Sequence, residues 1–117
     1  MPHYLLQASY TPEAVARMVA NPQDRTEAVR APVEKLGGRL NSLFLAFGES
    51  DVVCIIEMPN NVQAAAIALA LAAGAAVRNV KTTPLMTTAE GVEALKKAST
   101  TGYKSVIGGS ASAAGQR

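Results

Sequence analysis

The sequence has little of several residue types, and each shortage excludes a class of function. Tryptophan is absent and aromatic residues make up 4% of the chain, so no stacking platform for bases or sugars is expected. One cysteine cannot form an internal disulfide, so an oxidising compartment is not implied. The 11 basic and 9 acidic residues leave a formal charge of +2, which is too weak and too scattered for a nucleic-acid interface.

Targeting and membrane signals are also missing. The opening segment MPHYLLQASYTPE has no basic stretch followed by a long apolar one, so it does not read as a signal peptide. The most apolar run, residues 64–76, is rich in alanine and shorter than the roughly 20 residues that a membrane span needs. We therefore expect a soluble cytoplasmic protein with no nucleic-acid or membrane partner.

What the sequence does contain is a strongly β-forming stretch, Arg39–Pro59. Two apolar arms, Leu40–Phe47 and Val52–Met58, flank the turn Gly48–Asp51 and predict a β-hairpin. A sheet with one solvated face would alternate apolar and polar residues, so these arms predict cover on both faces. The first arm has two apolar faces: Leu43, Leu45 and Phe47 on one side, and Leu40, Phe44 and Ala46 on the other.

Before the hairpin, the pattern predicts one strand and a broken helix. Residues His3–Tyr10 alternate as a strand. Thr11 followed by Pro12 is typical of a helix start, and Asn21–Asp24 repeats that signal, so the helix is expected to break near Ala20 and restart. Glycines 37 and 38 end the second piece.

After the hairpin, the pattern predicts a helix, a strand and a short helix. Asn60 is placed as an N-cap with Gln63 completing a capping box, and the alanine-rich helix ends at Gly74. Residues Val77–Thr83 read as an edge strand, with a proline directly after it. A second capping box, from Thr87 to Glu90, begins the last helix.

This order predicts an α+β protein with the ferredoxin-like βαββαβ fold. Right-handed crossovers put the helices on one face of a four-stranded antiparallel sheet, with strands one and three in the middle. The other face would be bare and apolar, so we expect a homo-oligomer built on a dimer that pairs these faces. The domain is assigned to residues 1–98. Residues 99–117 form a Gly/Ser/Ala-rich tail, either flexible or a docking arm that uses its patch at residues 103–107.

Four segments resemble the GYD domain family of the dimeric α/β-barrel group: PHYLLQASYTPE, LGGRLNSLFLAFG, GESDVVCIIEMP and AAAIALALAAGAAVRNVKT. The resemblance spans residues 3–90. The family's turn normally reads Gly, a variable residue, Tyr, Asp, whereas this chain has Gly48, Glu49, Ser50 and Asp51. The resemblance implies a barrel-type dimer but no single activity, because structural relatives include monooxygenases, other enzymes and ligand binders.

The fold indicates which polar residues meet. Strand one runs antiparallel to strand three, so Tyr10 and Thr11 should lie near Asp51. Two carboxylates, Glu49 and Asp51, beside a phenol and hydroxyls could handle protons or bind a polar ligand. The alternative is a plain hairpin turn in which Gly48 supplies a positive φ and the side chains of Ser50 and Asp51 bond turn amides.

Three further candidates are less complete. His3 should lie near Glu57 and could form a base or part of a metal site, but two ligands are too few for even a minimal zinc set. Cys54 has apolar neighbours and reads as a small buried hydrophobe. Arg78 and Asn79, at the same end as Tyr10, could hold an anion or be ordinary edge-strand polar residues.

Three functions remain open at this point. One is a self-associating small-molecule-binding or accessory protein, with Gly48–Asp51 and Arg78 as candidate ligand contacts. Another is a cofactor-free barrel-type monooxygenase or isomerase acting on a small aromatic or keto substrate, with Tyr4, Tyr10 and Asp51 as its polar groups. The third is a scaffold that uses the tail. None of the three calls for a cofactor.

Overall fold

The computed structural model describes residues 1–109 of the chain. The strands are β1 (His3–Tyr10), β2 (Arg39–Leu45), β3 (Val52–Glu57) and β4 (Val77–Leu85). The helices are α1 (Pro12–Ala20), α2 (Thr26–Lys35), α3 (Asn61–Ala73) and α4 (Thr88–Ala98). The chain divides into two compact units, Met1–Leu85 and Met86–Arg117. No helix within residues 1–109 is both long and apolar enough to cross a membrane.

The first unit is built on one antiparallel sheet with the strand order β2-β3-β1-β4. β1 pairs with β3 on one side and with β4 on the other, so strands one and three lie in the middle as predicted. The register places His3 opposite Glu57 and Ala8 opposite Val52. The sheet and the order of its elements confirm the predicted α+β, ferredoxin-like class.

The core lies between one face of this sheet and the helices. Val33 of α2 and Ile67 of α3 are fully buried against alternate residues of the central strands. Burying a side chain of this size stabilises the fold by about 1.5–3 kcal/mol. α1 contributes no fully buried residue, so it packs more loosely than the other helices of the unit. The strand residues of the core are Tyr4, Leu6, Leu40, Cys54 and Ile56.

The opposite sheet face, which we call the open face, is the side of the central row Leu5, Ile55 and Val53. These three residues are partly buried, and Phe44 of β2 beside Val53 is 66% exposed. No helix of the first unit buries these residues. The expected apolar face is therefore present, and polar side chains such as Gln7 are interspersed on it.

One residue of β2 lies on a different face of the sheet from the one predicted. A bulge between Leu40 and Ser42 shifts the register, so that Leu40 pairs with Ile56 and Leu43 with Cys54. Because those two partners share the core face, Leu40 and Leu43 point the same way. The expectation that Leu40 shares a face with Phe44 is wrong, since an inserted residue breaks the two-residue period. The strand also ends at Leu45, two residues earlier than expected.

Capping explains where most helices begin. Thr11 accepts a hydrogen bond from the Ala14 amide, and Asn60 accepts one from the Gln63 amide. The capping box predicted for α3 does not form, because the Gln63 side chain instead donates to the Leu36 carbonyl, 3.2 Å away. That carbonyl follows the end of α2 and lacks a helical partner, so the amide satisfies it. α2 itself has no side-chain cap.

Glycine geometry fixes the end of α2. Gly37 adopts a left-handed φ of +85°, which favours glycine. The backbone of Gly38 then passes so close to β3 that a Cβ atom there would lie 2.5 Å from the Glu57 carbonyl oxygen. The predicted stop is confirmed, and each glycine serves a different physical purpose.

Two further boundaries differ in detail from the predictions. α3 ends before Gly74 as expected, but the left-handed residue is Ala75, with φ of 65°. β4 continues to Leu85 and contains Pro84, which was expected to follow the strand. Proline fits there because β4 is an edge strand and its outer side needs no backbone donor.

The second unit, described as far as Gly109, contains α4 and a turn. The predicted capping box forms: Thr87 accepts from the Glu90 amide while the Glu90 carboxylate accepts from the Thr87 amide. Val106 and Ile107 in the turn are almost fully exposed. The division into a domain of residues 1–98 and a tail from residue 99 stays a prediction, and residues 110–117 lie outside the described part.

Candidate functional site

The turn between β2 and β3 is held by backbone hydrogen bonds centred on Asp51. Its carbonyl accepts from the Ala46 amide at 2.8 Å, which closes the hairpin. Its own amide donates to the Ala8 carbonyl at 2.9 Å, which joins the turn to β1. Asp51 therefore links β1 to the adjoining ends of β2 and β3.

The carboxylate of Asp51 adds a third connection. Its Oδ2 atom accepts a hydrogen bond from the backbone amide of Tyr10 at 2.9 Å. The regular pairing of β1 with β3 ends at Ala8, so the Tyr10 amide has no strand carbonyl on that side. The predicted proximity of Tyr10 and Asp51 is confirmed, but the carboxylate meets the backbone of Tyr10 and not its phenol. Thr11 instead caps α1 and bonds the carbonyls of Ala75 and Ala76.

The other turn residues do not add a cluster of reactive side chains to Asp51. Ser50 is buried, with 9% of its surface exposed. Glu49 offers its carbonyl to the Ser9 hydroxyl at 3.2 Å, and its side chain is exposed. The expected positive φ at Gly48 is wrong, because its backbone lies outside the left-handed region, and no atom lies close to the position of an added Cβ there. The arrangement favours the structural interpretation of this turn, although its bonds run to β1 rather than to the turn's own amides.

Tyr10 lines a cleft of about 290 Å³ that we call the Tyr10 cleft. It lies between the end of the sheet and the connection from α1 to α2. Partial burial raises the pKa of Tyr10, the nearby Arg25 guanidinium opposes that rise, and Asp51 adds to it. The phenol is consequently a neutral hydrogen-bond donor at pH 7. The cleft is lined by Tyr10, Met18, Gln23, Asp24, Arg25, Thr26, Leu43 and Leu45.

The lining of the Tyr10 cleft divides by polarity. Leu43, Leu45 and Met18 supply an apolar wall, while Arg25 and Gln23 supply polar groups. Mixed linings of this kind, with a few polar groups over an apolar surface, are typical of small-molecule sites. Sequence reasoning did not identify Arg25, and the only signal was its position in the break between two helices at the Tyr10 end of the sheet.

Tyr4 does not join this site. It lies on the same sheet face as Tyr10, but six residues earlier along β1, which is about 20 Å in an extended strand. Its hydroxyl donates to Asn61 Oδ1 at 2.7 Å. A separate apolar groove of about 370 Å³ runs there between α3 and β4, and Tyr4 lines its base. The set Tyr4, Tyr10 and Asp51 is therefore not one constellation.

His3 and Glu57 meet on the open face, as the strand register predicts. Their side chains approach to 3.8 Å, and Arg39 of β2 lies 4.0 Å from the same Glu57 oxygen. Three ionisable side chains thus form a row across neighbouring strands. Among residues 1–109, no three His, Cys, Asp or Glu side chains gather closely enough to hold a metal ion.

The last two candidates take ordinary structural positions. Arg78 pairs with Ser9 on the β4 side of β1, is exposed, and lines none of the clefts described above. Asn79, next to it, has a left-handed φ of 53° where the pairing of β1 with β4 is irregular. Cys54 is buried in the core, and burial raises the pKa of its thiol to about 11, as suits a buried hydrophobe.

Comparison with known proteins identifies the family. A search of curated proteins finds no match, and a search of solved structures finds none either. A family model, described as the GYD domain, matches residues 4–105. The match begins in β1, passes through the Asp51 turn and extends beyond α4, so it includes both the sheet and the Tyr10 cleft. The chain is thus a member of the GYD domain family.

Proposed function

We propose that this protein binds a small organic molecule in the Tyr10 cleft and works as a homo-oligomer. The observation that carries the proposal is the lining of that cleft, where a neutral phenol and an arginine stand over leucine and methionine side chains. Its volume of about 290 Å³ is at the lower end of the range for ligand pockets, which begins near roughly 300 Å³. The ligand is accordingly small.

The engagement of Asp51 favours binding over catalysis. A general base needs a carboxylate oxygen within reach of a substrate proton. One oxygen of Asp51 is held by the Tyr10 amide, and the residue is built into three strand connections. The alternative of a barrel-type enzyme that uses Tyr4, Tyr10 and Asp51 has no supporting observation, because Tyr4 lies at the other end of the sheet.

The cleft can be tested with a panel of monosubstituted benzenes, each titrated into ¹⁵N-labelled protein. We expect chemical-shift changes at the amides of Tyr10, Arg25 and Leu43. The variant Leu45→Gln should abolish these changes, because it removes part of the apolar wall. The matched control is Leu69→Gln on α3, which changes a leucine of similar exposure, 69% against 64%, outside the cleft.

Equal binding by the two variants would overturn the proposed site. So would shift changes confined to the groove of α3, at residues such as Ala65 and Ala68. Both leucines are largely exposed, so neither substitution removes a core contact and both variants should fold.

The oligomer is supported by the open face. Leu5, Val53 and Ile55 form an apolar row that no helix of the first unit covers, and Phe44 extends the row toward β2. Apolar patches that continue over several strands commonly mark interfaces between subunits. A symmetric pairing of two open faces would cover the row in both copies.

Analytical ultracentrifugation at micromolar concentration tests this part separately. We expect a dimer or a larger even-numbered assembly, and we expect Phe44→Asp to shift it toward monomer. The control Val62→Asp places the same charge at a 75% exposed position of α3 and should leave the assembly unchanged. A monomeric native protein would refute the oligomer without affecting the cleft, whose lining comes from one chain.

A further inference from the structure

Arg25 combines two features: its side chain lines a cleft, and it has no carboxylate partner among the described residues. It occupies the N-cap position of α2, and its side chain lines both the Tyr10 cleft and an adjoining cleft of about 260 Å³. Arg17, Arg30 and Arg39 each have a carboxylate within 4.0 Å. Arg25 has none anywhere in the described part of the chain. Its guanidinium fork is thus available to an external acceptor.

The neighbouring acid does not neutralise Arg25. Asp24 also lines the Tyr10 cleft, but one of its oxygens accepts hydrogen bonds from both the amide and the hydroxyl of Thr26, at 2.9 and 2.6 Å. These bonds lower the pKa of Asp24, so it stays ionised. Its charge nevertheless remains near the cleft and limits how much negative charge a ligand can bring.

We propose that the ligand of the Tyr10 cleft is a small monocarboxylate with a flat apolar body, held by Arg25 and covered by Leu43, Leu45 and Met18. The inference rests on the proposed function, because it names the chemical class that this same site takes. A guanidinium binds a carboxylate through two parallel hydrogen bonds, which fix the orientation of the ligand as well as balancing its charge. The neutral phenol of Tyr10 can donate a further bond to the ligand.

A monocarboxylate fits better than a phosphate for two reasons. A dianion would place its second charge near Asp24, where only one unpaired arginine is present to balance it. The amide of Thr26, which begins α2 and would otherwise point at an anion, is already bonded to Asp24. The helix N-terminus therefore adds little for a phosphate, and the arginine fork remains the main recognition element.

Phenylacetate and phenylacetamide form a suitable pair of probes, because they differ in charge but hardly in shape. Titrations followed at the amides of Tyr10 and Arg25 should show the acid binding about tenfold more tightly, as expected for a charge-assisted pair over a neutral one. The variant Arg25→Gln should reduce that ratio to about one while still binding the amide. Arg25→Lys should give an intermediate ratio, because a lysine keeps the charge but loses the fork.

Arg78→Gln is the matched control. Arg78 also has no carboxylate within 4.0 Å in the part of the chain that the structure describes, and it lies outside the cleft, so its removal should leave the tenfold ratio intact. If native protein binds acid and amide equally, the carboxylate inference is wrong and the binding site stands. An equal fall of the acid-to-amide affinity ratio in the Arg25→Gln and Arg78→Gln variants would also overturn the inference, because the net charge of the protein would then explain the preference. If neither probe perturbs the cleft amides, the proposed function fails as well.

Discussion

The close approach of Gly38 to β3 leaves no room for a side chain at that position. A Cβ atom built on Gly38 would lie 2.5 Å from the Glu57 carbonyl oxygen and would also overlap Met58 Sδ. Contacts shorter than 3.0 Å essentially never occur at real Cβ atoms, so Gly38→Ala requires the neighbours to move. The sulfur belongs to a flexible side chain, but the carbonyl does not.

The Glu57 carbonyl is difficult to displace because its residue is paired on both sides. Glu57 lies opposite His3 of β1 and opposite Arg39 of β2. Met58, which would also have to shift, is fully buried. Overpacking of this kind costs about 1–3 kcal/mol, and the lower entropy of an unfolded alanine chain returns about 0.4–1 kcal/mol. We therefore expect Gly38→Ala to lower the free energy of unfolding by about 1–2 kcal/mol.

Gly48→Ala provides the matched control, since an added Cβ there has no atom within 4 Å. Its free energy of unfolding should stay the same or rise by up to about 1 kcal/mol. Both variants and the native protein should be unfolded in urea at one fixed protein concentration, because any association shifts the apparent stability. Agreement of the two variants to within about 0.5 kcal/mol would show that the close approach at Gly38 does not limit stability. Adding Met58→Ala to Gly38→Ala should restore only part of the loss, because the carbonyl contact remains.

Three further substitutions or measurements test other parts of the structure. Ala75 has a left-handed φ of 65°, which costs an alanine about 1–2 kcal/mol. Ala75→Gly should therefore raise the free energy of unfolding by about 0.5–1 kcal/mol, after the greater conformational entropy of an unfolded glycine is subtracted. A lower melting temperature of this variant would contradict the prediction. Cys54 should react slowly with a thiol reagent at pH 8 in native protein and rapidly in urea. The free energy of unfolding should also fall as the pH rises from about 9 toward the folded pKa of about 11, because the thiol of the unfolded chain ionises first. No such fall should occur in the Cys54→Ala variant. Asp51→Ala should lower the free energy of unfolding by about 1–2 kcal/mol. Asp51→Asn should lower it by less, because the amide oxygen of asparagine can still accept a hydrogen bond from the Tyr10 backbone amide. Equal losses in the two variants would exclude this hydrogen bond as the cause.

Much of the fold follows from local patterns in the sequence. Alternation in His3–Tyr10 and the two apolar arms of the hairpin predict three strands, and the structure confirms all three. Thr11 and Asn60 are capping residues whose hydrogen bonds can be anticipated without tertiary information. Pairing of strands one and three then follows from topology, which correctly brings Tyr10 to Asp51 and His3 to Glu57.

The details that sequence reasoning missed depend on contacts between distant residues. The bulge after Leu40 changes the facing of that residue, and no local residue preference signals it. Gln63 has the right position for a capping box, yet its side chain bonds Leu36, which is remote in sequence. Arg25 was overlooked for the same reason, because the wall opposite it comes from β2. A cleft formed by a helix break and a strand end has no contiguous motif.

The position of Asp51 indicates how a turn can matter to binding without touching a ligand. Its carboxylate holds the Tyr10 amide at the point where the pairing of β1 with β3 has ended. Without that bond, the last residue of β1 would keep its pairing with β4 alone, opposite Val77. Tyr10 lines the cleft from this fixed backbone, so the position of its phenol depends on the hydrogen bond between its amide and Asp51. Asp51 is in this sense a positioning residue, and a substitution that frees the Tyr10 amide should weaken binding of phenylacetate and phenylacetamide by the same factor. A change at Arg25 should weaken the acid alone, so the two effects can be separated in one set of titrations.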